Sequence, residues 1–322
     1  MIHFIINPTS RSGRGIHLWE ALKSQLDGAQ MAYDCYFTKS YEETVSYVAG
    51  ITAFDQDDAD LALPGRKFLH HIAVLGGDGT VNEVLNGVVD REHTCISYLP
   101  TGSGNDLARS IGLRSSAKEA FSHLTGELKP LTVDVGRVSG VDENGVSVSR
   151  MFAISSGIGF DAAACAKSTG NGAKKLLNRI GLGKLTYLAN ALVCLFQTPD
   201  SSCTITLDDK TKLTRASLFF CVSMIQKFEG GGFPFCPAAD SQDGMFDVCV
   251  VSDIKKRHVS YVLPLALFGK HTITRFVQIL RAKKIEIETS IPLWVHTDGE
   301  VPGKFSRIVI EQPEQGHITF LL

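Results

Sequence analysis

The chain has 322 residues, 44% of them hydrophobic and 20% charged, with a formal net charge of −2. Such a length exceeds one average domain and points to two, and the apolar content excludes a disordered chain. The near-neutral balance excludes a protein that gathers nucleic acid by overall charge, so no nucleic-acid partner is expected.

From His3 to about residue 130, apolar runs alternate with helical periodicity. Strands are predicted over His3–Ile6, Met31–Phe37, His71–Leu75 and Cys95–Leu99, and helices over 16–27, 41–53, 80–89 and 104–124. Strands separated by helices imply right-handed crossovers and a doubly wound parallel sheet covered on both faces. Ligands of such sheets bind beyond the carboxyl ends of the strands. Four loops are predicted on that rim: the one from Asn7 to Gly13, Thr38, the turn from Gly76, and residues 100–106. Asp55–Arg66, with four aspartates, reads as an exposed loop.

The turn Gly76-Gly77-Asp78-Gly79-Thr80 follows the apolar run Ile72–Leu75 and leads into Val81, Val84, Leu85 and Val88, the spacing of one helix face. Glycine allows close backbone approach, and N–H groups at a helix start favour anions. Asp78 is repulsive to a phosphate unless a cation lies between them, so the loop asks for a magnesium-loaded nucleotide. The second loop, Pro100-Thr101-Gly102-Ser103-Gly104-Asn105-Asp106, again joins a strand to a helix. Its hydroxyl and its Asn-Asp pair can bond a ribose, a phosphate or a metal-bound water, although Asp106 also suits ordinary helix capping.

From about Thr132 the pattern becomes short and β-rich: 131–138, 147–155, 203–207, 216–222, 245–251, 285–288, 293–296, 307–311 and 317–322. Turns such as Asp208-Asp209 and Asp243-Gly244 separate them, the signature of an antiparallel sandwich or barrel. Helical pieces are expected over 173–197 and around 254–281. The predicted architecture is therefore an N-terminal α/β nucleotide domain, 1–130, and a C-terminal antiparallel β-sandwich domain, 131–322, whose last segment either stays there or returns to the first domain. Eight cysteines are scattered without a C-x-x-C pair, several inside apolar runs as Cys194 and Cys249 are, which favours a reduced, cytoplasmic protein. The start, Met1-Ile2-His3-Phe4-Ile5-Ile6, has no basic n-region. The longest apolar stretches, 185–196 and 259–268, fall short of the ~20 residues a bilayer span needs, so a soluble protein is expected.

GGDGTVNEVLNG (76–87) and PTGSGNDLAR (100–109), preceded by INPTSRSGRG (6–15), resemble the diacylglycerol kinase catalytic-domain family, which includes soluble bacterial lipid kinases and the sphingosine and ceramide kinases. Val133–Gly136, Gly157–Ala162, Asp243-Gly244 and Thr297-Asp298-Gly299-Glu300 recur in family order. The resemblance implies an ATP-binding domain of NAD kinase/diacylglycerol kinase type, a β-sandwich domain, ATP and Mg2+ as cofactors, and phosphorylation of a lipid hydroxyl. Carried over residue by residue, it implies nucleotide contacts from Asn7, Pro8, Thr9, Thr38, Gly76, Gly77, Asp78, Gly79, Thr80, Glu83, Ser103, Asn105, Asp106, Asp134 and Glu300. Asp78, Asp106 and Asp134 are the acids expected to organise magnesium. Asp298 matches the family's general base, with Asp78 the second catalytic acid. An aspartate is a poor base for an alcohol, but a loose transition state lets the proton move late, so Asp298 mainly orients the hydroxyl. The segment Pro237–Met245 resembles one that holds a second, structural magnesium in some bacterial members; Asp240, Asp243 and the Met245 carbonyl would be its ligands, against the alternative of a solvated turn. Arg11-Ser12 lengthen the first loop relative to the family's shorter form and leave the contacts of residues 9–14 open.

Gly157-x-Gly159-x-x-Ala162 fits a dinucleotide pattern, but no acid lies between Asp161 and Asp200 to hold a ribose; those glycines are expected to shape a turn. No P-loop motif occurs, and the histidines form no H-E-x-x-H set. Residues 162–199 and 254–285 mix Lys and Arg with Leu, Val, Phe and Tyr and contain no Asp or Glu. Such a surface suits anionic headgroups and acyl boundaries, so transient peripheral membrane contact is expected, against the alternative of ordinary helices with a basic outer side. The sequence thus predicts a lipid kinase, with diacylglycerol to phosphatidic acid as its reaction. A NAD kinase is the enzymatic alternative and a nucleotide-binding regulator without catalysis the alternative of another class. A homodimer is compatible with the sequence and not encoded in it.

Overall fold

The computed structural model describes residues 1–53, 68–113, 122, 124–126, 129–169 and 199–322. The chain forms two compact units, Met1–Val133 with His317–Leu322, and Asp134–Gly316.

In the first unit, strands β1 (Ile2–Ile6), β2 (Tyr33–Phe37), β3 (His70–Gly76), β4 (Thr94–Pro100), β5 (Pro130–Asp134) and β16 (His317–Leu321) form one sheet in the order β2-β1-β3-β4-β16-β5. β1 runs parallel to β2 and β3, β3 to β4, and β4 to β16. Helices α1 (Arg14–Gly28), α2 (Tyr41–Thr52), α3 (Asp78–Gly87) and α4 (Asp106–Ser110) fill the connections. α1 buries Leu18, Trp19, Leu22 and Leu26 at helical spacing against Phe4, Ile6, Ala73 and Leu75. Phe4 meets Trp19 with ring centroids 5.1 Å apart. α2 starts at a Ser-x-x-Glu box, in which the Ser40 side chain accepts the Glu43 N–H at 3.2 Å.

The run 317–322, for which a place in either domain was open, belongs to the first sheet. Ile318, Thr319, Phe320 and Leu321 are all buried, as an interior strand of a parallel sheet requires. The helix predicted over 104–124 is not one continuous element: α4 closes at Ser110, Gly112 follows at φ 78°, and residues 122, 124 and 125 are helical again. The aspartate-rich loop at 55–66 lies outside the described residues.

The second unit is antiparallel. Its strands are β6 (Gly136–Asp142), β7 (Ser147–Phe152), β8 (Ser155–Gly159), β9 (Cys203–Leu207), β10 (Thr211–Arg215), β11 (Leu218–Met224), β12 (Phe246–Ser252), β13 (Val277–Ala282), β14 (Lys284–Thr297) and β15 (Glu300–Glu311). They pair in the order β13-β12-β11-β8-β14-β15-β6-β7, with β9 on β14 and β10 on β9. β14 changes register between Glu288 and Leu293, so its first half pairs with β9 and its last residues with β8. Helix α5 (Phe160–Thr169) follows β8 directly, and α6 (Lys256–Ala266) lies between β12 and β13. The helical region expected around 254–281 therefore ends at Ala266 and gives way to strand β13. The helix expected over 173–197 lies outside the described residues. Among the described residues no helix is long and apolar enough to cross a membrane, and the described cysteines are free thiols.

Candidate active site

Most of the residues expected to meet nucleotide are gathered at the carboxyl ends of β1, β3 and β4. Asn7, just past β1, donates from Nδ2 to Thr80 Oγ1 at 3.2 Å and receives the Thr9 N–H and hydroxyl on Oδ1 at 3.1 and 2.9 Å. Pro8 lies inside this turn. Thr38 directly follows β2, its N–H on the Ile6 carbonyl at 2.9 Å. The two residues that lengthen the first loop are absorbed in a 3-10 turn, Ser10–Gly13, with Arg11 and Gly13 at positive φ. Ser10 Oγ lies 2.7 Å from Thr101 Oγ1, joining this loop to the one after β4.

The glycine turns after β3 and β4 touch backbone to backbone. The Gly76 carbonyl accepts the Thr101 and Gly102 N–H groups at 2.7 and 3.1 Å. A Cβ on Gly102 would stand 2.6 Å from both Gly77 Cα and Asn105 Oδ1, so only glycine permits the approach. Asp78 and Gly79 open α3, where N–H groups have no carbonyl of their own helix to bond.

Asp78 is the hinge of this assembly. Its Oδ2 accepts the Asp106 N–H at 2.8 Å, and Oδ1 accepts the Leu107 N–H at 3.3 Å and the Tyr98 hydroxyl at 3.4 Å. The carboxylate expected to face a cation thus also fixes the start of α4. Tyr98 is buried; burial, then the Asp78 charge, push its phenol well above the ordinary range and keep it a donor. Tyr98 also donates to Asn105 Oδ1 at 3.3 Å, and Asn105 holds the left-handed conformation at φ 51°. Asp106 is buried and paired with Arg109. Ser103 is exposed on the same loop, and Glu83 is half-buried in α3.

The other predicted residues lie in the second unit. Asp134 accepts the Gly244 N–H at 2.9 Å, and its own N–H bonds the Ser241 carbonyl, so it braces the 240–245 loop. In that loop Asp240 Oδ1 accepts the Gln242 N–H, and Asp243 accepts the Met245 N–H while pairing with Arg281. Asp240, Asp243 and the Met245 carbonyl are the oxygen donors a hard cation takes. As arranged, however, the Arg281 guanidinium supplies the positive charge at Asp243.

Asp298 and Gly299 form the two-residue loop of the β14–β15 hairpin, with φ of 50° and 90° and Thr297 paired to Glu300. An Asp-Gly pair with both φ positive is the primed turn that suits strand twist. The Asp298 carboxylate accepts three backbone N–H groups, from Ala153 at 3.0 Å, Ile154 at 2.8 Å and Ser155 at 3.0 Å. Glu300 is exposed at the start of β15.

Beneath this hairpin lies a cluster that the sequence reading did not single out. His296 Nε2 stands 3.1 Å from Asp161 Oδ2 and 3.0 Å from Glu229 Oε1, all three side chains buried. Burial opposes a charged ring, but the Glu229 charge and the Asp161 contact outweigh it and hold the imidazole well above its ordinary range. Burial in turn raises the Asp161 carboxyl. Nε2 therefore carries a proton shared between two carboxylates, and this trio ties α5 and the 229 loop to β14, the strand that leads into Asp298. Gly157 makes room for it: a Cβ there would fall 2.1 Å from Asp161 Oδ2 and 2.7 Å from His296 Nε2. The glycines of the rejected dinucleotide pattern thus lie in strand β8 rather than in a turn. The only available sequence signal was a polar residue, His296, interrupting the buried end of β14.

A family model described as the diacylglycerol kinase catalytic domain matches residues 1–138, and one described as the YegS C-terminal NAD kinase beta sandwich-like domain matches 155–318. The chain is 26% identical over 302 residues to the YtlR protein of Bacillus subtilis (strain 168), covering 93% of each. It is 27% identical over 267 residues to a diacylglycerol kinase of Mycobacterium tuberculosis (strain ATCC 25618 / H37Rv), covering 81% of this chain and 82% of that one. A solved diacylglycerol kinase structure from Bacillus anthracis str. Sterne superposes with a TM-score of 0.64 at 20% identity, over 99% of this chain and 95% of that one, and shares its fold. With both halves matched in order, the chain belongs to the diacylglycerol kinase catalytic-domain family and is a kinase.

Proposed function

We propose that the chain transfers the γ-phosphoryl group of ATP to the hydroxyl of a membrane lipid, with diacylglycerol as acceptor and phosphatidic acid as product. The observation that carries this reading is the loop assembly of the first unit, where Gly77 meets Gly102, Asn7 bonds Thr80, and α3 opens at Asp78. Helix-start amides suit phosphate, and the carboxylates of Asp78 and of Asp106, which Arg109 pairs, offer the oxygens that suit a hard cation carried by the nucleotide. Asp78 and Asp106 are the carboxylates that would hold magnesium. When bound, that ion neutralises charge on the phosphates.

In phosphoryl transfer the lipid oxygen bonds to the γ-phosphorus, the bond from that phosphorus to the β–γ bridging oxygen breaks, and ADP leaves. The acceptor proton goes to Asp298. A carboxylate held by three N–H donors is rigidly aimed, which favours orientation of the hydroxyl over early proton abstraction. Support for a lipid acceptor comes from the relatives named diacylglycerol kinase.

The test is transfer of labelled phosphate from ATP to micellar diacylglycerol, a sphingoid base, phosphatidylglycerol and a prenol, and to NAD, with and without magnesium. Labelled phosphatidic acid formed only with magnesium supports the reading. Label on NAD alone would make the chain a NAD kinase, and ATP binding without transfer to any acceptor would make it a regulator.

A further inference from the structure

The α6 end of the second unit carries apolar side chains that the protein leaves uncovered. Val259, Val262 and Ala266 of α6 turn inward onto the core built by Phe160, Phe220 and Phe235. The outer side and the turn that follows expose Tyr261, Leu267, Phe268 and Ile273, with Phe268 75% and Ile273 78% accessible. Large apolar residues so far out of the fold, four within thirteen positions, mark an interaction face rather than scattered surface.

Cations frame them. Lys255, Lys256 and Arg257 stand exposed at the start of α6, and Lys270 and Arg275 flank the turn at His271–Ile273. No aspartate or glutamate occurs from Ile254 to Ile285, so the segment itself is uniformly cationic. Apolar tips surrounded by cations match one surface chemistry, an acyl layer beneath anionic headgroups. A protein partner of acidic character would pair the cations but leave Phe268 and Ile273 without an apolar receptor.

We infer that this face docks the protein on anionic bilayers, Phe268 and Ile273 entering the headgroup–acyl boundary while Lys255, Lys256, Lys270 and Arg275 meet lipid phosphates. The inference goes beyond the phosphotransfer reading and stands apart from it, because docking is measured with no nucleotide present.

The experiment is vesicle sedimentation of the full chain with phosphatidylglycerol/phosphatidylcholine vesicles and with pure phosphatidylcholine. Binding is expected to the anionic vesicles and to weaken as salt rises. Phe268→Ala with Ile273→Ala should lower the partition coefficient about tenfold or more, as loss of two inserted side chains predicts. Lys270→Glu with Arg275→Glu should lower it by a similar factor on anionic vesicles, about fivefold per lost cation. Val141→Ala with Val146→Ala, exposed apolar residues of the same unit, should leave it unchanged. All substituted side chains are exposed, so an unchanged melting curve checks that each variant is folded. The inference is overturned if wild-type protein does not bind, if binding ignores lipid charge and salt, or if the Phe268/Ile273 variant binds as wild type. It is equally overturned if that variant instead converts a dimer to a monomer in light scattering, which would make the face a contact between copies of this chain.

Discussion

Replacing Asp298 with asparagine removes a charge on which three backbone N–H groups converge, those of Ala153, Ile154 and Ser155. The amide oxygen can still accept from Ile154 and Ser155, but the NH2 group is then turned onto the Ala153 N–H, donor against donor. A hydrogen bond to a charged group contributes about 1.5–3 kcal/mol, and a buried donor left unsatisfied costs about 1–3 kcal/mol. Together with weakening of the two retained bonds, a loss of about 3–5 kcal/mol is expected. For a unit of this size each kcal/mol lowers the melting temperature by about 2–4 °C, so a fall of roughly 10 °C should appear in a thermal melt. Turnover, assayed well below the variant's own melting point, should drop by about 10²–10⁴-fold, as removal of a proton acceptor predicts. ATP affinity should stay within about twofold, since the expected nucleotide contacts at Asn7, Thr80 and Ser103 belong to the first unit. A melt within about 1 °C of wild type would refute the hydrogen-bond reasoning. A lowered melt with turnover within about tenfold of wild type would reduce Asp298 to a hairpin residue.

Gly102→Ala should cost about 1–3 kcal/mol from overpacking and weaken ATP binding about tenfold, because the new methyl stands 2.6 Å from Gly77 Cα and from Asn105 Oδ1; unchanged affinity in a calorimetric titration would count against contact between the two loops. His271 is buried with Nε2 3.0 Å from the Phe235 carbonyl, and burial holds its pKa below the ordinary value. Between that lowered value and about 6.5 the unfolded chain binds more protons than the folded one, so His271 makes stability fall on acidification through that window. Urea unfolding at about pH 5 and pH 7 should show a smaller difference in His271→Asn than in wild type.

The loops that hold the candidate nucleotide site were legible because local rules fix them. Apolar runs such as Ile72–Leu75 declare buried strands, and glycine turns beside them declare helix starts. What remained hidden depends on contacts between distant segments. Nothing near Asp161 or Glu229 announces that both reach His296, since that meeting is decided by how β8 and β14 pair. The double task of Asp78 was half visible: its place at a helix start was plain, whereas its hold on the Asp106 and Leu107 amides needs the loop after β4 folded against it. Residues 277–282 read as a continuation of a cationic helix, and only pairing with β12 makes them a strand. The outward Phe268 and Ile273 were seen as part of an apolar, basic stretch, but which side chains face out is decided by the packing of α6.

Strand β16 lies between β4 and β5 in the first sheet, although residues 134–316 separate it in the chain from the rest of that unit. The second unit is therefore an insertion into the first, entered after β5 and left before β16. On the ribosome the nucleotide-type sheet must wait, one inner strand short, until the whole inserted unit has been made. Deleting 317–322 would accordingly strike the fold of the opening half of the chain, and a purified fragment of residues 1–133 would lack an interior strand and tend to associate through the gap.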